Sequence, residues 1–149
     1  MIPEFLLTPK ILLVDDDVQQ LWLRAQVMKL CGFSVVTADD PLSAISMMSE
    51  DKVEKIDVAV LDYNMPVMNG CALADRLRSV CPELKIILYS GAIDIPRTEI
   101  ASVDAFIPKD EGTALLLAQI VEFAQVGRWP HPTVAPDMEL SFRAQSGRC

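Results

Sequence analysis

Residues 10–21 read KILLVDDDVQQL. An unbroken apolar run, Ile11 to Val14, delivers three consecutive aspartates, Asp15, Asp16 and Asp17, and a helix-like pattern follows. A short continuous apolar run is the signature of a strand covered on both faces of a parallel sheet. Two carboxylates about 4 Å apart repel by roughly 1 kcal/mol in water and by roughly 4 kcal/mol at an effective dielectric near 20. Solvent, a helix N-terminus or a bound cation has to offset that. Asp17, directly before the helical pattern and three positions before Gln20, reads as an N-cap with a capping-box partner. Asp15 and Asp16 are left at the strand end.

The same alternation recurs along the chain. Strands are expected at 10–14, 34–38, 56–62, 84–90 and 104–109, with helical patterns at 18–30, 41–50, 69–80, 96–102 and 112–126. Val18, Leu21, Ala25 and Met28 recur at three- and four-residue steps and predict the inward face of the first helix, which Gly32 would stop. Asp40 reads as a cap with Pro41 in the first helical position, and Pro96 suits another first turn. Five strand–helix alternations predict an α/β fold with a parallel sheet. In open sheets of this kind ligands bind outside the carboxyl ends of the strands.

Net charge is −8, with 13 Lys+Arg against 21 Asp+Glu, and no basic cluster stands out. Direct nucleic-acid binding and attraction to an anionic membrane are therefore not expected. Cys31, Cys71, Cys81 and Cys149 show neither CxxC nor zinc-ligand spacing; Cys31 and Cys71 read as small core residues or helix-end thiols, and the set suits a reducing compartment. The opening MIPEFLLTPK lacks the pattern of a signal peptide, and no run is long enough for a membrane span, so a soluble, cytoplasmic protein is expected. The organisation expected is an N-terminal extension over 1–9, one folded domain over 10–126 and a proline-containing tail or linker over 127–149. His131 lies in that tail and reads as a surface histidine; Met138, Leu140 and Phe142 are its only apolar candidates for docking.

The strand ends supply a chemically coherent set. VLDYNMPVMNG (60–70) puts Asp62 at the end of a buried run, with Asn69-Gly70 turning into the next helix. Asp15, Asp16 and Asp62 together form a hard-oxygen pocket suited to a divalent cation such as Mg²⁺, or Mn²⁺ in its place. Ser90 ends the fourth strand beside Gly91 and offers a hydroxyl; Lys109 ends the fifth and offers an ammonium. Carboxylates, a metal, a hydroxyl and a lysine make a phosphoryl-transfer constellation, in which an aspartate can itself be the nucleophile.

ILLVDDD, VLDYNMPVMNG, LYSG and AFIPK, in that order and spacing, resemble the response regulator receiver domain, the CheY-like module of two-component signalling, over roughly residues 10–126. The resemblance implies a flavodoxin-like three-layer sandwich, five parallel strands in the order 2-1-3-4-5 with five helices. It implies that Asp62 is the phosphoacceptor. Asp15, Asp16 and Asp62 would hold Mg²⁺ with the backbone carbonyl of Asn64. Ser90 and Lys109 would engage the phosphoryl group, and Phe106 matches the aromatic switch position, with ordinary core packing as the other reading.

The implied donor is a histidine kinase or histidine phosphotransfer protein, and the implied output is a protein-interaction surface read by an unknown downstream partner. Such a chain is a signalling switch that assists its own phosphotransfer and dephosphorylation rather than an enzyme, and acts as a monomer or weak homodimer. The family usually has proline after the lysine; here Asp110 follows Lys109 and Pro108 precedes it. A trans Lys109–Asp110 bond is expected, and with it a different path into the last helix. That departure is what favours the alternative, a phosphorylation-independent interaction module. An aspartyl-phosphate phosphatase fits less well, because position 64 carries Asn64 rather than a second carboxylate.

Overall fold

The computed structural model describes residues 8–50 and 55–125. Most of the expected N-terminal extension and the whole 127–149 tail, with His131, Met138, Leu140 and Phe142, lie outside the described residues.

Five strands, β1 (Lys10–Val14), β2 (Ser34–Ala38), β3 (Val58–Leu61), β4 (Lys85–Ser90) and β5 (Ala105–Pro108), alternate with five helices. These are α1 (Val18–Leu30), α2 (Pro41–Ser49), α3 (Gly70–Val80), α4 (Arg97–Ile100) and α5 (Thr113–Gln125). All strand pairs are parallel, in the order β2-β1-β3-β4-β5, so the expected flavodoxin-like topology is the observed one.

Side-chain alternation along the strands builds the two outer layers. Ile11, Leu13, Val58, Val60, Ile87 and Tyr89 face one side and pack with Leu21, Ala25 and Met28 of α1 and Leu116, Ile120 and Ala124 of α5. Leu12, Val14, Ala59, Leu61, Ile86 and Leu88 face the other and pack with Ala44 of α2 and Leu73, Ala74 and Leu77 of α3. Both faces are buried, which is why these strands read as unbroken apolar runs.

The helix ends follow local chemistry. Asp17 accepts the Gln20 N–H at 3.2 Å, Asp40 the Ser43 N–H at 2.8 Å and Asn69 the Ala72 N–H at 2.9 Å. At the end of α1, Gly32 takes φ 95°, and the N–H groups of Gly32 and Phe33 bond back to the carbonyls of Lys29 and Met28, a Schellman closure.

Three expectations need correction. Val18 is 60% exposed at the first position of α1, so the buried stripe begins at Leu21. β3 covers only Val58–Leu61 rather than 56–62. α4 is a single turn, and Pro96 is its N-cap rather than its first residue.

Candidate functional site

The site lies where β1 and β3 end side by side. The Asp62 N–H donates to the Val14 carbonyl at 3.0 Å, and the Asp15 N–H to the Ala38 carbonyl at 3.3 Å, extending both ladders by one rung. Asp15 and Asp62 thereby stand on adjacent strand ends, Asp15 fully buried and Asp62 8% exposed, with Asp16 exposed beside them. Ligand oxygens of Asp15, Asp16 and Asp62 all lie within 4.8 Å of one another. Three hard-oxygen donors at this spacing, open to solvent through Asp16, fit a divalent cation that keeps part of its water shell.

Lys109 reaches this cluster, its Nζ 3.3 Å from Asp15 Oδ2 and 3.7 Å from Asp62 Oδ1. The Lys109–Asp110 peptide is trans, as no cis bond occurs among the described residues. The chain leaves β5 through a 3₁₀ turn, Lys109–Glu111, and Gly112 at φ 91° redirects it into α5. With Asp110 after it, Lys109 still brings its ammonium to both carboxylates.

Burial pushes the Asp62 carboxyl above its ordinary range. Lys109 pulls it back, the Asp15 carboxylate raises it, and hydrogen bonds from Ser90 and the Tyr63 N–H favour the ionised form. The Tyr63 N–H donates to Asp62 Oδ1 at 2.9 Å. Ser90 is buried at the end of β4, where its Oγ accepts the Ala92 N–H at 3.2 Å. Phe106 is half-buried and packs on the core layer shared with α2 and α3. Asn64 is exposed in the loop after Asp62.

Three residues join the site that the sequence did not single out. Arg24 of α1 places Nη1 3.2 Å from Asp15 Oδ2, with its guanidinium 4.9 Å from the Tyr89 ring centroid. A signal for it existed, since Leu21, Arg24 and Met28 share one helical face at steps of three and four. The Tyr63 hydroxyl donates to Glu99 of α4, whose other oxygen accepts from Asn69 Nδ2 at 3.5 Å. No local pattern marks that contact.

A doubly wound sheet with an acidic cluster and a lysine at its carboxyl end defines a CheY-like receiver. The chain belongs to the response regulator receiver domain family, whose model matches residues 11–121. It is 33% identical over 84 residues to the transcriptional regulatory protein PrrA of Mycobacterium tuberculosis, covering 56% of this chain and 35% of PrrA. It is 29% identical over 123 residues to CpxR of Escherichia coli, covering 80% of this chain and 51% of CpxR. The chain thus spans between about a third and a half of the length of these curated relatives.

The fold is similar to a CheY-like receiver domain protein of Methanospirillum hungatei, with TM-score 0.71 and 24% identity over 80% of this chain and 95% of that one. It is equally similar to TrrA of Thermotoga maritima, solved in complex with Mg²⁺-BeF, with TM-score 0.71 and 21% identity over 78% of this chain and 99% of that one. Among the described residues, no helix is long and apolar enough to cross a membrane.

Proposed function

We propose that this chain is the phosphoacceptor module of a two-component relay, taking a phosphoryl group onto Asp62 from a phosphohistidine. The observation that carries the reading is the convergence of Asp15, Asp16 and Asp62 within 4.8 Å, with Lys109 on two of the three carboxylates. A carboxylate oxygen of Asp62 attacks phosphorus in line and the P–N bond breaks. The imidazole nitrogen leaves with the bonding pair and takes up a proton, and an acyl phosphate remains on Asp62.

Asp15, Asp16, Asp62 and the Asn64 carbonyl would hold Mg²⁺, which supplies charge neutralisation for the transferred oxygens. Lys109 contributes a fixed positive charge at the same oxygens, and Ser90 a hydroxyl to receive one of them. The new dianion then draws on Ser90 and Lys109 and biases the face built from α4, β5 and α5, with Phe106 as the half-buried side chain on it.

The donor is a histidine kinase or phosphotransfer protein in the cytoplasm. A groove lined by Leu23 and Val27 of α1 together with Lys109 and Thr113 supports docking beside the site. The relatives named as transcriptional regulators extend well beyond the matched segment. This acidic segment would act on an output partner rather than on DNA itself.

The test is intact mass after incubation with acetyl phosphate, with and without Mg²⁺, on wild type and Asp62→Asn. A Mg²⁺-dependent gain of one phosphoryl group that vanishes in the variant is the expected result. A folded protein that gains none would instead be a phosphorylation-independent interaction module.

A further inference from the structure

Arg24 has no part in the reaction just described, yet it is built into the site. Its side chain is 9% exposed and Nη1 lies 3.2 Å from Asp15 Oδ2. Lys109 Nζ approaches that same oxygen at 3.3 Å. The other oxygen, Oδ1, accepts the Asp17 N–H at 2.9 Å. One buried carboxylate therefore serves two full cations and a backbone donor.

Packing alone does not call for this arrangement. The inward stripe of α1 around Arg24 is apolar (Leu21, Ala25 and Met28), and an unbranched apolar side chain would fill the place without the cost of burying a guanidinium. Charge gives a reason. Three carboxylates offset by Lys109 alone leave two uncompensated negative charges, a match for a divalent ion. With Arg24 present only one is left.

We propose that Arg24 is an internal counter-ion of the acidic cluster that competes with the divalent cation for Asp15. It holds the metal affinity of this protein below what the three carboxylates would otherwise give. This rests on the metal reading of the preceding section. Arg24 is a positioning residue: it acts through Asp15 and touches neither metal nor phosphoryl group. The metal-free cluster is offset from within to a single negative charge, and metal binding loosens the hold of Arg24 on Asp15. The Tyr89 ring, 4.9 Å from the guanidinium carbon, keeps the arginine in place as that bond weakens.

The test is calorimetric titration of the full chain with Mg²⁺ at low ionic strength, on wild type, Arg24→Met, Arg24→Lys and Asp16→Asn. Arg24→Met is expected to bind Mg²⁺ about tenfold more tightly, since one of two cations beside the ligand oxygen is gone. Arg24→Lys, which keeps the charge, should stay within about twofold of wild type. The rise in Tm at saturating Mg²⁺ should be larger in Arg24→Met than in wild type, although its metal-free Tm is lower.

An Arg24→Met protein that melts cooperatively and binds Mg²⁺ no tighter than wild type overturns the proposal. So does an Arg24→Lys protein as tight as Arg24→Met. Should Arg24→Met not fold, the Arg24 Nε–H resonance of the wild type decides: it shifts during Mg²⁺ titration if the proposal holds and stays fixed if it does not. The metal reading fails separately, through absence of Mg²⁺ binding in wild type and Arg24→Met alike or through undiminished binding in Asp16→Asn, and the proposal falls with it.

Discussion

Gly70 lies against the backbone of Asp62: a Cβ at position 70 would stand 2.2 Å from the Asp62 carbonyl oxygen and 2.8 Å from Leu88 Cδ1. The Gly70 N–H also donates to the Tyr63 carbonyl at 2.9 Å, so the first turn of α3 is clamped onto the loop that carries the acceptor. Gly70 itself is not at positive φ; it is required by close approach alone. Gly70→Ala should therefore cost about 3 kcal/mol or more, because backbone rather than a flexible side chain must yield. Chemical denaturation measures the loss. A Mg²⁺ titration of the folded fraction should show weaker binding, since the displaced backbone carries Asp62 with it.

Asp62→Asn should stabilise the metal-free protein at neutral pH. Burial raises the Asp62 carboxyl in the folded state above its unfolded value near 3.8. The linked stability is complete below that unfolded value and is lost as pH rises through the folded one. Asparagine removes the loss, and Lys109 keeps its partner in Asp15. A higher Tm than wild type is expected at pH 7. The two melting curves should converge below about pH 4. A gain that persists unchanged into acid would contradict this account.

The Tyr63 phenol is pushed up to about 12, chiefly by its hydrogen bond to the Glu99 carboxylate. Phenolate absorbance, read as a difference against Tyr63→Phe, should appear only as pH approaches that value. In Glu99→Gln it should return towards the ordinary phenol range near 10. The contact's contribution to stability is complete below the unfolded phenol value and is lost only as pH rises through about 12. Phenolate appearing near pH 10 in the wild type, as in Glu99→Gln, would show that the contact between the acceptor loop and α4 does not form in solution.

Val67, in the same loop, takes φ 80° and is 80% exposed. A β-branched residue in the left-handed region carries about 1–2 kcal/mol of strain. Val67→Asn should recover about 1 kcal/mol, visible as a higher midpoint in urea with an unchanged slope. A lower midpoint would mean that Val67 makes contacts that outweigh its backbone strain.

The elements were legible because their signals are local. Asp17 and Asp40 cap helices through N–H groups three residues on, and Gly32 closes α1 as the Gly32 and Phe33 N–H groups bond to the Lys29 and Met28 carbonyls. The continuous apolar strands announced a sheet covered on both faces. Val18 failed as a core residue because periodicity gives a helix face but not where the neighbouring layer ends. Pro96 suited a helix start, but the rest of that turn had too little apolar pattern to fix its length, and α4 closed after Ile100.

The acidic cluster was legible for a topological reason: residues at the carboxyl ends of adjacent parallel strands must converge. By itself the sequence determined the alternation of elements, the caps and the set of strand-end carboxylates, since each depends on residues a few positions apart or on strand order. The tertiary structure decided what shares an atom with what. Lys109 meets Asp15 across 94 positions, Arg24 reaches the same oxygen from α1, and Tyr63 finds Glu99 36 positions away. Coulomb attraction and hydrogen bonding act over a few ångströms, and only the packed layers bring those groups within that distance.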